Sequence, residues 1–254
     1  MIKINTHYAR LVRRPKGFLF TLALLVGVCS LTGLSGCSKM TTTPEPVSNA
    51  PTAAPQGSST AAQNLPGAVP AGLASLGEYG ENIYDAAKSM KWTEAEAKLD
   101  ALKRAIQESA VDNKRAELQG IVVSLENSMA KRDQSATMRE SNQVTLISAE
   151  LAASYHPKVP ADVARLDYDG RELEIWSRAN DISKLKATAQ DMRQTWDRLE
   201  PEVKSHNGTA QAQKFGKLIT ETDRARSVAQ YQKLARPILD EVDNLEKVFE
   251  NAVQ

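Results

Sequence analysis

The chain has 254 residues, of which 41% are apolar, 25% charged and 5% aromatic, the profile of one or two globular domains. Residues 1–36 carry five cations (Lys3, Arg10, Arg13, Arg14, Lys16) and no acid, so beyond them 27 basic groups face 31 acidic ones and the net charge turns from +1 to −4. That balance excludes a strongly basic nucleic-acid binder, and two cysteines exclude both a disulfide-dense scaffold and a Cys-rich metal site.

In chain order, the first element is a basic stretch from Arg10 to Lys16 followed by an apolar run, Phe18 to Val28. Eleven apolar residues are too few for a lasting transmembrane helix, which needs about 20, and they suit the core of a secretory signal peptide. An uncleaved signal anchor is the alternative. Arg13-Arg14 is similar to a twin-arginine signal, but Pro15-Lys16 departs from that pattern and general secretion fits better.

Leu34-Ser35-Gly36-Cys37 follows the apolar core. These four residues resemble the lipobox of bacterial lipoproteins, and the resemblance covers residues 1–38 only. It implies removal of residues 1–36 and acylation, palmitate included, of Cys37 as the first mature residue. Several acyl chains make a stable membrane anchor where one is marginal. Cys29 would leave with the signal, so the mature chain would hold a single, lipidated cysteine. Ser38, where Asp would favour inner-membrane retention, points by the same resemblance to the outer membrane, facing the periplasm.

Residues 37–74 form the next unit. They hold six of the eleven prolines with many Ala, Ser and Thr, and only Lys39 and Glu45 carry charge. Such a segment has too little apolar surface to offset its ordering entropy, so it reads as a disordered tether spanning on the order of 35 Å.

From residue 75 to 254 helix formers dominate and apolar residues recur at steps of three and four. The runs are Ala95, Leu99, Leu102, Ile106; then Leu118, Ile121, Leu125, Met129, continued by Val144, Ile147, Leu151, Tyr155. Ile182, Leu185, Ala189, Met192, Trp196, Leu199 and finally Ile238, Val242, Leu245, Phe249 complete them. The predicted fold class is all-α: an antiparallel, four-helix-bundle-like domain. Its segments are about 76–108, 112–155, 161–203 and 209–252, divided near Asp112, at His156 to Pro160 and at Asn207-Gly208-Thr209.

Thr93-x-x-Glu96 has capping-box spacing, so the first segment can break at Lys91-Trp92, and the third at Asn180-Asp181. The breaks correspond, which suggests a duplicated helical hairpin. Ile83, Ala87 and Met90 align with Ile175, Ala179 and Ile182 at an offset of 92. Leu125, Val144, Leu151 and Tyr155 align with Ile219, Ile238, Leu245 and Phe249 at an offset of 94.

Candidate chemistry is sparse. His156 and His206 fall in expected loops, no Glu-x-x-His pair occurs, and Glu202 with His206 reads as a solvated surface pair, so no metal or other cofactor is expected. Serine-elbow and phosphate-loop patterns are lacking, and the chain reads as a non-enzyme. The apolar stripe thins at Arg132, Asp133, Arg139, Glu140 and Asn142, and again at Glu221, Asp223, Arg224 and Arg226. If those stretches are neighbours they form a polar pocket for a charged ligand; otherwise they face water or pair with each other.

Tyr168-Asp169-Gly170-Arg171-Glu172-Leu173 is also conspicuous, its glycine either allowing close helix contact or being a tolerated defect of about 1 kcal/mol. Trp92, Trp176 and Trp196 read as packing residues. The function expected is that of a lipid-anchored envelope protein with an interaction or structural role, its partners the membrane and another envelope protein. A charged-ligand or metal-binding protein is the alternative.

Overall fold

The computed structural model describes residues 69–251. The expected signal peptide, the lipobox-like residues and residues 37–68 of the expected tether lie outside that range. Within it, eight α-helices and no strands are found among the described residues, in agreement with the all-α reading. They are α1 (Ala71–Lys88), α2 (Trp92–Glu108), α3 (Arg115–Ala130), α4 (Gln134–Ala153), α5 (Ala161–Arg178), α6 (Ile182–Ser205), α7 (Thr209–Arg224) and α8 (Val228–Glu250). Helix α1 starts ahead of the expected residue 75, and Leu73 is already buried in the core.

Each of the four long segments is therefore two helices. The breaks at residues 89–91 and 179–181 fall where the sequence places them, but a different device makes the first. Lys91 caps α2 without a side-chain hydrogen bond, so Thr93 and Glu96 do not form its capping box. Instead Met90 takes a left-handed φ of 55°, and the Lys91 and Met90 N–H groups donate back to Ala86 O (2.8 Å) and Ala87 O (2.9 Å). This is the Schellman closure of a helix end. Asn180 (φ 56°) repeats it, with Asp181 N–H donating to Trp176 O, and the Asp181 side chain then caps α6.

Two further breaks, which the sequence reading does not place, divide the second and fourth segments. Arg132 (φ 52°) ends α3 in the same way, and the Asp133 side chain caps α4 by accepting from Ala136 N–H. Ser227 and Gln230 form a reciprocal capping box at the start of α8.

The helices form two repeats of four. Helix α1 packs on α2 and α4, α3 on α2 and α4, and the second repeat copies this with α5 on α6 and α8, and α7 on α6 and α8. Repeat boundaries correct the first offset: α1 begins 90 residues before α5, and α2 begins 90 before α6, whereas α3 and α4 begin 94 before α7 and α8. The offset of 92 pairs the wrong residues. Met90 corresponds to Asn180, as their shared left-handed conformation requires.

Each repeat has its own apolar core. Leu76, Ile83, Leu102, Leu118, Leu125 and Val144 fill the first; Leu166, Leu173, Trp196, Phe215, Ile238 and Phe249 fill the second. A full burial of each such side chain contributes roughly 1.5–3 kcal/mol. Trp196 lies against Phe215 at 4.7 Å, while Trp92 and Trp176 are partly buried at the edges of their clusters.

Glycine permits a close helix approach at the same place in both copies. A Cβ on Gly80 would lie 2.9 Å from Ser141 O and 3.1 Å from Val144 Cβ in α4. At the equivalent Gly170, a Cβ would lie 2.7 Å from Leu239 Cδ2 and 3.4 Å from Ile238 Cγ2 in α8. Val144 and Ile238 are themselves equivalent, so one contact is built twice.

Gly80→Ala is expected to destabilise by about 1 kcal/mol or more, because backbone blocks the methyl and overpacking exceeds the helix-propensity gain. Gly170→Ala is expected to be nearly neutral, since the Leu239 terminus can turn aside. Urea unfolding of both variants checks the order; equal effects would contradict it. Met90→Gly, at a 67% exposed left-handed position, is expected to raise stability by roughly 1 kcal/mol in the same assay.

Candidate functional site

The two polar stretches that the sequence singles out do not meet. The first stretch lies at the α3–α4 junction and on α4, the second at the end of α7; no contact joins α3 or α4 to α7 or α8, and α5 packs between α4 on one side and α6 and α8 on the other. Arg132, Asp133, Glu221, Asp223, Arg224 and Arg226 are exposed, Arg139 and Glu140 half-buried, and Asn142 buried. Arg139 pairs with Glu140 at 3.1 Å and Asp223 with Arg193. Arg226 donates to the carbonyls of Asp223 and Ala225. Glu221 and Arg224 border a surface hollow of about 300 Å³ beside Gln230 and Lys233. The thinning of the apolar stripe falls around two helix junctions, with Arg132, Asp133 and Arg226 between helices and the other six on α4 and α7. Of the nine residues only Asn142 belongs to the buried polar region.

That region runs along α5, where the repeats join. Asn142 Nδ2 reaches across from α4 and donates to Tyr168 O (3.2 Å) and to Glu172 Oε1 (2.8 Å). The other Glu172 oxygen accepts from Trp176 Nε1 at 2.5 Å, and Gln143 donates to the Tyr168 hydroxyl at 2.9 Å. Burial pushes the Glu172 carboxyl up, and the Asn142 and Trp176 hydrogen bonds partly offset this. The Tyr168 hydroxyl is pushed up chiefly by burial and then by the Glu172 charge.

Toward α1 the seam is ionic. Arg171, 8% exposed, pairs with Asp167 at 3.0 Å and with Glu81 of α1 at 3.3 Å, and it lies over the Tyr84 ring at 5.2 Å. Burial opposes its charge, but Asp167, Glu81 and Asp85 hold the guanidinium firmly protonated. Glu174 accepts from Lys88 Nζ (2.6 Å) and from the Tyr84 hydroxyl (3.2 Å). Glu81 and Arg171 are equivalent positions of the two repeats, as are Tyr84 and Glu174. Chemical difference at duplicated positions makes each pair complementary.

Carboxylates outnumber cations here. Burial raises Asp167 to about 7; Arg171 opposes the rise and the charges of Glu81, Asp243 and Asp85 add to it. Glu246 of α8 rises to about 7, first through burial and then through Asp167, Glu81 and Asp243. Asp169, 5% exposed, rises well above the usual range through burial and the nearby Asp191 and Glu172, against Arg165 and Arg198. No hydrogen bond to its carboxyl is found among the described residues. Asn142 Oδ1, Asp167 Oδ2 and Arg171 Nη1 are also buried without a hydrogen-bond partner, although Asp167 Oδ2 lies in the 3.0 Å ion pair.

Sequence reasoning reached the run 168–173 but weighed only its glycine. The usable signal was charge distribution: Asp167, Asp169, Arg171, Glu172 and Glu174 occupy most of the helix circumference, so a packed α5 must bury some of them. Their partners on α1 and α4 carry no local signature. His156 and His206 lie at helix ends, and the Nδ1 of His206 lies 2.9 Å from Glu202 O and 3.2 Å from Ser205 Oγ. Among the described residues no group of three His, Cys, Asp or Glu is placed to hold a metal ion, and no helix is long and apolar enough to cross a membrane. Comparison with protein-family models, with curated proteins and with solved structures finds no match.

The raised carboxyls set a direction for pH dependence. Asp167 and Glu246 hold protons up to about 7 when folded, against 3.8 and 4.5 as ordinary values, so the folded state binds more protons between those limits. Stability should fall as pH rises through that window and level off above it. Melting at pH 5 is expected to exceed that at pH 8 by roughly 3 °C or more, and Asp167→Asn with Glu246→Gln to flatten the difference. A melting temperature that climbs from pH 5 to pH 8 would contradict the reading.

Proposed function

We propose that the chain is a lipid-anchored protein of the bacterial envelope, held through Cys37, whose helical repeats serve a binding or structural role toward another envelope protein rather than catalysis. The observation that carries the anchoring is Leu34-Ser35-Gly36-Cys37 behind an eleven-residue apolar core. Supporting the scaffold role is the tandem repeat itself. Duplication adds helix surface, and the charged side chains of α5 are used to join one repeat to the next. By resemblance, Ser38 favours the outer membrane, with the repeats facing the periplasm on a Pro-rich tether.

A second reading, a binding protein for a small charged ligand, is favoured by one feature: Asn142 Oδ1 and Arg171 Nη1 are buried with no hydrogen-bond partner among the described residues. Buried polar groups are ordinarily satisfied, by protein, water or ligand.

Labelled palmitate is expected to enter the wild-type chain and sediment with membranes, and Cys37→Ser is expected to lose both. Label on the serine variant, or none on the wild type, would contradict the anchor. In cells, crosslinking at sites on α2 and α7 is expected to give one discrete adduct with an envelope protein. Native mass spectrometry of monomer carrying a stoichiometric small molecule, with no adduct, would favour the second reading.

A further inference from the structure

Comparing the repeats residue by residue exposes one corner where they have diverged in concert. In the first repeat, Lys114 caps the start of α3 and bridges Glu117 (2.8 Å) and Glu150 of α4 (3.2 Å), and Arg165 adds a longer pair to Glu150 at 3.6 Å. The corner is closed by charge. At the equivalent positions, 94 residues on, the second repeat has Gly208, Gln211 and Asn244. The lysine is gone and both carboxylates have become amides.

A third change converges on the same place. Helix α6 has 24 residues where α2 has 17, and its added turns end in Ser205, His206 and Asn207. Leu199 and Val203 in this extension are buried in the core, so the end of α6 is held in place. The result is a hollow of about 480 Å³ walled by the end of α6, by Gln211 and by Asn244, Lys247 and Asn251.

Its chemistry is specific. The side-chain amides of Asn207, Gln211 and Asn251 make no hydrogen bond among the described residues, and each can donate and accept at once. Asn244 donates to Glu241 and accepts from Lys247 Nζ at 3.2 Å, which occupies the one cation of the wall. The His206 ring, whose Nδ1 lies 2.9 Å from Glu202 O and 3.2 Å from Ser205 Oγ, adds a polar group to the wall. Val248 supplies an apolar patch. Alternating donors and acceptors around a small apolar patch, without carboxylates, match vicinal hydroxyl and acetamido groups and their C–H faces.

We infer that the hollow between the end of α6 and the end of α8 is a binding site for a neutral, hydroxyl-rich ligand of the oligosaccharide class. It occupies the place in the second repeat where the first holds the Lys114, Glu117 and Glu150 cluster. It is independent of the anchor and of the α5 seam.

The full chain, isotope-labelled, is titrated with the N-acetylglucosamine trimer and separately with maltotriose while side-chain amide resonances are followed. Saturable shifts of Asn207, Gln211 and Asn244 with either sugar are expected, with a Kd of about 1 mM. Gln211→Glu with Asn244→Glu, which restores the first repeat's carboxylates without its lysine, is expected to weaken binding at least about tenfold with helicity unchanged. Should that pair unfold, Asn207→Gly, which removes the amide and keeps the left-handed φ of 64° at an exposed position, is expected to weaken it roughly threefold. No saturable shift with either sugar up to roughly 20 mM, or wild-type affinity in a folded variant, overturns the proposal.

Discussion

Helix α5 is the constraint around which the described fold is arranged. It packs on α4, α6 and α8, and its side chains reach α1 as well, so little of its surface is left for water. Yet its sequence places Asp167, Asp169, Arg171, Glu172 and Glu174 within eight residues. A charge taken from water costs several kcal/mol unless paired, so the neighbouring helices must supply partners at fixed heights. Glu81 and Asn142 do so from two different helices. A shift of either helix by one turn would strand a charge. The seam thus specifies how the repeats meet more than it stabilises them, the role in which buried ion pairs are best attested.

Duplication explains why such a seam can exist. Two identical repeats would bring like residues together at the junction: Glu81 would face another acid, and Tyr84 another tyrosine. Instead Arg171 faces Glu81 and Glu174 faces Tyr84. Elsewhere the copies stayed alike where packing leaves no choice. Gly80 and Gly170 both allow a helix to approach, and Met90 and Asn180 both close a helix in the left-handed conformation. They parted where the surface permits it, at the corner that holds an ion cluster in one copy and an amide-lined hollow in the other. Divergence concentrated in side chains at the rim, with the core pattern kept, is how a repeat fold acquires a site without losing its packing.

Acidic excess is the seam's weakness. One arginine faces Asp167, Glu81 and Asp85, and Glu246 and Asp243 stand near on α8. Burial favours the protonated form of such carboxyls, and mutual repulsion adds to it. The junction between the repeats is therefore tied to protonation near neutrality, whereas the two apolar cores are not.

The periodicity of three and four and the lack of alternating strands determined the all-α class, and each predicted stripe faces a core because burying apolar area is a local, additive demand. Two of the breaks were legible through Lys91-Trp92 and Asn180-Asp181, and the second-half offset of 94 was read correctly. The breaks at Arg132-Asp133 and at Ala225 to Ser227 are not distinguishable from polar mid-helix in the sequence, since a charged loop and a charged helix face look alike along the chain. What tertiary structure alone decided is which charges meet. Arg171 finds Glu81 ninety residues away, and Asn142 leaves its sequence neighbours for Glu172, because pairing depends on the spacing of packed helices in three dimensions. Linear order carries the period of a helix but not the identity of its neighbour.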